Sequence, residues 1–104
     1  MKERGNMKIK KGVSIQEDGT RVEERGYCKR CARSLHELLK EHGEVEITAL
    51  GSLAVANTMK AITICSGLAA EEGKELALDV PCYKTQDTEA GTSLAVFSIV
   101  VKMI

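Results

Sequence analysis

Residues 44–67, EVEITALGSLAVANTMKAITICSG, restrict the fold more than any other stretch of this chain. They read as a buried strand, a glycine turn at Gly51 and a helix beginning at Ser52. Val45, Ile47 and Ala49 fall on one side of the strand, as a two-residue repeat requires. Ser52 suits an N-cap and Gly67 a stop, which predicts a helix of about fourteen residues. Leu53, Val55, Met59, Ile62, Ile64 and Cys65 go almost all the way round it, relieved by Asn57, Lys60 and a few hydroxyls. A single domain of 104 residues cannot wrap such a helix on every side. The helix is expected to lie on a sheet with one face and on a partner with the other. Its first turn also presents unpaired N–H groups and the positive end of a dipole to an anion.

Two Tyr, one Phe and no Trp leave the core to Val, Ile, Leu, Met and Ala. The formal net charge is zero, which argues against a strongly electrostatic nucleic-acid binder. The charge is unevenly spread, however. Residues 1–43 carry 11 Lys/Arg against 7 Asp/Glu, and residues 44–104 carry 4 against 8. One end of the molecule can therefore be basic while the whole is neutral. No signal peptide and no run of 18 apolar residues is seen, so a cytoplasmic chain with no membrane role is expected. Its four cysteines are then expected to be reduced.

Taken in order, residues 1–6 read as a disordered, charged lead-in, and 7–104 as one domain. Residues 7–15 read as a first strand with Met7, Ile9, Val13 and Ile15 alternating, interrupted by Lys11. Gln16-Glu17-Asp18-Gly19 is a turn signal. Beyond it, 20–25 return either as an extra hairpin strand or as a long loop. Residues 27–42 form an amphipathic helix with Cys31, Leu35, Leu38 and Leu39 on one face, ended by Gly43. After the central strand and helix, 69–74 read as a loop and 75–85 as a strand in which Pro81 marks an edge or a bulge. Residues 86–91 make a polar turn. The last strand, 92–103, is apolar on both faces, so both are expected to be covered. The order is β-α-β-α-β-β.

The run 43–60, with Ala61, Ile64 and Gly67 following in register, resembles the stage V sporulation protein S family. Members run a strand of the form E-I-x-A-I-G into a helix with a central K-A-hydrophobic-x-I and a terminal glycine. Here these read Glu46-Ile47-Thr48-Ala49-Leu50-Gly51 and Lys60-Ala61-Ile62-Thr63-Ile64. Pro81 sits near the family's proline, and the resemblance covers roughly 29–104. That family in turn resembles Alba, the archaeal chromatin protein, and the C-terminal domain of translation initiation factor three. The resemblance implies an α+β, two-layer β-α-β-α-β-β sandwich acting as a dimer on DNA or RNA. It also implies contact through basic residues after the first strand and in the loop before the second helix. Ser52 and Leu53 stand where Alba carries arginine. Lys29 and Arg30, with Lys10 and Lys11 on the strand, are the nearest equivalents of Alba's lysine pair. An insertion over 17–26 departs from the usual pattern.

The basic cluster Lys10, Lys11, Arg21, Arg25, Lys29, Arg30 and Arg33 is the candidate phosphate-binding surface. The bland alternative is a solvated face balanced by Glu17, Asp18, Glu23 and Glu24. Gly51 and Ser52 offer backbone N–H groups to a phosphate, or form an ordinary strand-to-helix turn. Lys60 projects from the same helix towards solvent or a partner. Cys28-Lys29-Arg30-Cys31 has the form of a redox pair or half a zinc site, with His36 and His42 downstream. Against this, Cys31 falls at an apolar core position, no second C-x-x-C exists, and the histidines are six apart. No catalytic triad, paired carboxylates or G-x-x-x-x-G-K loop is present. The expectation is a regulatory protein with no enzymatic activity, metal or cofactor, self-associating as a homodimer or higher oligomer. It would bind DNA or RNA through Lys10, Lys11, Lys29, Arg30, Arg33, Gly51, Ser52 and Lys60. The alternatives are a protein-interaction scaffold of the same fold and a small thiol or zinc protein.

Overall fold

Strand β7 (Ser93–Met103) is the spine of the sheet. Along one side it pairs antiparallel with β4 (Glu44–Leu50), from Glu44 opposite Lys102 to Leu50 opposite Val96. Along the other it pairs first with β5 (Leu76–Leu78) and then with β6 (Cys82–Asp87). Strand β1 (Gly5–Ile9) adds in parallel to β4, with Met7 opposite Ile47 and Ile9 opposite Ala49. A separate antiparallel ribbon, β2 (Val13–Ile15) with β3 (Arg21–Glu23), stands between β1 and helix α1 (Tyr27–His42). Helix α2 (Ser52–Glu71) links β4 to β5. This computed structural model describes residues 3–104, and within them all side chains except those of Ser14, Ile15, Arg21 and Glu23.

The architecture is α+β, a mixed five-stranded sheet with both helices on one face. The expected β-α-β-α-β-β order is present, with the extra hairpin inserted ahead of α1. The periodicities explain it. On β4, Val45, Ile47 and Ala49 are buried and the residues between them are half-exposed. Helix α1 turns Cys31, Ala32, Leu35 and Leu39 inward, and α2 answers with Ala54, Ala61, Ile62, Cys65 and Ala69. The alanines let the two helices approach closely, while Leu35, Leu39, Ile47 and Val101 fill the space above the sheet. Each large aliphatic side chain so buried contributes about 1.5–3 kcal/mol.

Several boundaries differ from expectation, each for a physical reason. The lead-in is shorter than 1–6: β1 begins at Gly5, and Arg4 pairs with Glu44. Met1 and Lys2 lie outside the described residues. The first strand does not run on to Ile15. It stops at Ile9, and Gly12 at φ 67° turns the chain into β2. Helix α2 continues past Gly67 to Glu71, because Ala69 is fully buried and extends the inward stripe. The stop is Gly73 at φ 73°, after which the Lys74 N–H returns to the Ala69 carbonyl. The cap residue is Gly51, not Ser52, and no side chain caps the helix. The strand expected over 75–85 is two strands, interrupted around Pro81, which lacks a ladder donor. Finally, the face of β7 carrying Leu94, Val96 and Val100 is not buried within the chain: Leu94 is exposed and the valines are half-exposed.

Helix α2 is long and apolar enough to cross a membrane. Ala54, Asn57, Thr58, Ala61, Ile62, Cys65 and Ala69 are all spent against the sheet and α1, which is how a core helix behaves.

Candidate functional site

Beyond Ile9 the chain leaves the sheet, and residues 10–12 form a bend with no strand partner in it. The bend is held by side chains instead. The Lys10 N–H donates to the Tyr27 hydroxyl at 2.7 Å. The Asn57 side-chain amide donates to the Lys10 carbonyl at 3.1 Å and to the Lys11 carbonyl at 2.8 Å. The Glu24 N–H donates to the Gly12 carbonyl at 2.8 Å. Gly12 lies flat on the Tyr27 ring, where an added Cβ would come within 2.6 Å of the ring carbon Cδ1.

Two adjoining hollows flank this bend, of about 690 and about 300 Å³. Lys8, Lys10, Lys11 and Arg30 border the first, over a floor of Ile9, Val13 and Leu50. Lys11, Lys29 and Lys60 border the second, with Leu53, Asn57 and Ile64. Tyr27 and Glu24 belong to both. Five of the eight candidate residues, Lys10, Lys11, Lys29, Arg30 and Lys60, therefore meet around Tyr27. Arg33 is exposed on α1 and borders neither hollow. Gly51 and Ser52 also stay outside, and the Gly51 N–H is occupied by the Ala95 carbonyl at 2.9 Å. Arg21 was grouped with these cations by sequence; its side chain lies outside the described residues.

The electrostatics favour an anion here. Among the described residues, four of the eight acidic groups of the second half are tied to cations elsewhere: Glu44 and Glu46 to Arg4, Glu72 to Lys40, and Asp79 to Lys102. Arg30 pairs with Glu24 at 3.0 Å and lies 5.8 Å from the Tyr27 ring centre. Lys8, Lys10, Lys11, Lys29 and Lys60 have no acidic partner of this kind among the described residues. Burial raises the Tyr27 phenol above its ordinary value, so it is a neutral hydroxyl at physiological pH.

The cysteine motif is placed differently from a reactive site. Cys31 is 7% exposed, and burial raises its thiol away from the thiolate form. The half-buried Cys28 thiol donates to the Asn57 Oδ1 at 3.5 Å. The two histidines face away from the pair: His36 Nε2 lies 3.5 Å from the Glu72 carboxylate without a hydrogen bond, and His42 Nδ1 is hydrogen-bonded to the Glu3 carbonyl at 2.7 Å. Among the described residues no three His, Cys, Asp or Glu side chains gather as a metal site would require.

Sequence reasoning named Glu24 among the balancing acids but missed Lys8, the Tyr27 hydroxyl and, above all, Asn57. A signal for Asn57 was present: an amide in the middle of an otherwise apolar helix needs partners, because burying it alone is costly.

Comparison with known families gives one finding. The family model described as Stage V sporulation protein S (SpoVS) matches residues 20–103 of the 104-residue chain. No curated protein matches.

Proposed function

Since the chain belongs to the stage V sporulation protein S family, a family of small sporulation proteins, we propose that it is an Alba-like, non-enzymatic regulator that binds nucleic acid. The binding surface is the pair of hollows around Tyr27. One observation carries this reading: five lysines from the β1 strand, the bend after it, and both helices converge there with no acidic partner among the described residues, on a chain whose net charge is zero. Counterion release from the contacted phosphates then supplies most of the affinity, and sequence preference is slight. The protein works in the cytoplasm as a homodimer or higher oligomer.

A mobility-shift titration against duplex DNA, single-stranded DNA and RNA at two salt concentrations tests it. For about four phosphate contacts, log affinity should fall against log salt with a slope of roughly −3.6 on duplex DNA. Lys29 and Arg30 are both exposed, so reversing the two to Glu should abolish binding and leave the circular dichroism spectrum unchanged. No shift by the wild type at about 50 mM salt, where phosphate contacts are strong, would overturn the proposal.

The second reading, a protein-interaction scaffold, is favoured by a different feature. An apolar cleft of about 130 Å³ opens between α2 and the sheet, bordered by Val55, Met59, Pro81 and Phe97. Binding of every nucleic acid failing while self-association persists would select it.

A further inference from the structure

We infer that Asn57 is a positioning residue for the basic bend, holding Lys10 and Lys11 in the arrangement that contacts phosphates. The inference rests on the nucleic-acid reading above and assigns a role to a residue that touches no phosphate itself.

Asn57 is 7% exposed and sits among alanines, isoleucine and cysteine on the inward side of α2. A residue there with no task beyond packing would be apolar, since an amide is tolerated only when its polar atoms are matched. All of them are matched. Both donor hydrogens of Nδ2 go to consecutive carbonyls, those of Lys10 and Lys11, and Oδ1 accepts from the Cys28 thiol. Of the two lysines whose backbone it grips, Lys10 borders the first hollow and Lys11 borders both. The segment has no ladder partner in the sheet, so these bonds and the Tyr27 hydroxyl do what strand pairing does elsewhere. Without them the bend is free to sample other conformations. Each phosphate contact would then carry an added ordering cost, and fewer would form at once.

This predicts coupling in binding, which a purely structural role does not. With a fluorescein-labelled DNA duplex as probe, Asn57→Leu should bind about three- to tenfold more weakly while remaining folded. The magnitude of its salt slope should drop by about 1–2. Lys10→Gln with Lys11→Gln should weaken the wild type to a similar degree. Combined with Asn57→Leu, that pair should cost little more, because the lysines are already out of place. Additive losses would mean that Asn57 acts independently of the bend, and would overturn the inference. Should Asn57→Leu fail to fold, Tyr27→Phe serves in the same cycle, since it removes only the hydroxyl that accepts from Lys10. Failure of the wild type to bind would instead overturn the nucleic-acid reading, and this inference with it. Wild-type binding with additive variants overturns the inference alone.

Discussion

Gly12 shows how tightly single positions are held around the bend. It combines φ 67° with the Tyr27 ring in the space a side chain would need, whereas Gly19, at φ 84°, faces open solvent. Gly19→Ala should therefore cost about 1 kcal/mol for its backbone alone, and Gly12→Ala about 2–3 kcal/mol. Urea denaturation of the two variants measures the difference, and equal losses would show that the ring yields freely. Cys65 makes a second prediction at this scale. It is fully buried, and burial pushes its thiol from 9.0 up to about 11. The folded state therefore holds its proton after the unfolded chain has lost it. This contribution is whole below about pH 9, and it declines by about 2–3 kcal/mol as the pH rises to about 11. Cys65→Ala should flatten that part of the stability profile, although it lowers stability overall by opening a small cavity.

At the scale of elements, α2 carries an avoidable weakness. Gly67 stands inside the helix with helical backbone and nothing near the place of a Cβ, since the true stop is Gly73. Gly67→Ala should stabilise the protein by about 0.5–1 kcal/mol, through lost freedom of the unfolded chain and better helix propensity. A rise in the thermal midpoint checks this; an unchanged or lowered midpoint would mean that the end of α2 frays despite the burial of Ala69. The broken outer strand has the opposite character. Cys82, Tyr83 and Lys84 on β6 are exposed, and Pro81 interrupts the edge that β5 and β6 present. Such an interruption blunts the row of free hydrogen-bonding groups that would otherwise template aggregation.

Across the whole molecule, apolar surface and charge are segregated. Five lysines without an acidic partner among the described residues collect where the bend meets both helices, while the cleft between α2 and the sheet is apolar. Met59 is half-exposed beside the Phe97 cleft, Val80 is 88% exposed, and Tyr83 packs against Phe97 at 4.9 Å with much of its ring in solvent. Self-association through this surface predicts different outcomes for two changes on the same helix. Met59→Glu should leave a folded protein of lower mass in sedimentation velocity. Ile62→Glu should unfold it, because Ile62 is buried in the core and the charge would have no partner. A wild type that sediments as a monomer at micromolar concentration would remove the basis for self-association.

The strand-turn-helix unit over 44–67, helix α1, the β-α-β-α-β-β order and the basic first half were all legible in the residues themselves. They depend on periodicities of two and 3.6 residues and on composition, which neighbouring residues alone determine. The break in the alternation at Lys11 was legible, but the end of the strand in a bend was not, because the bonds that hold the bend come from Tyr27, 17 residues away, and Asn57, 46–47 residues away. The end of α2 was misplaced for a related reason. A glycine favours a stop, but burial of Ala69 against the rest of the core outweighs that local preference. Likewise, no spacing rule brings Lys60 together with Lys11 and Lys29; the packing of α2 beside α1 does. Local sequence determined which elements form and which face each one buries. Hydrogen bonds and packing between distant segments decided where those elements end and which charges share a site.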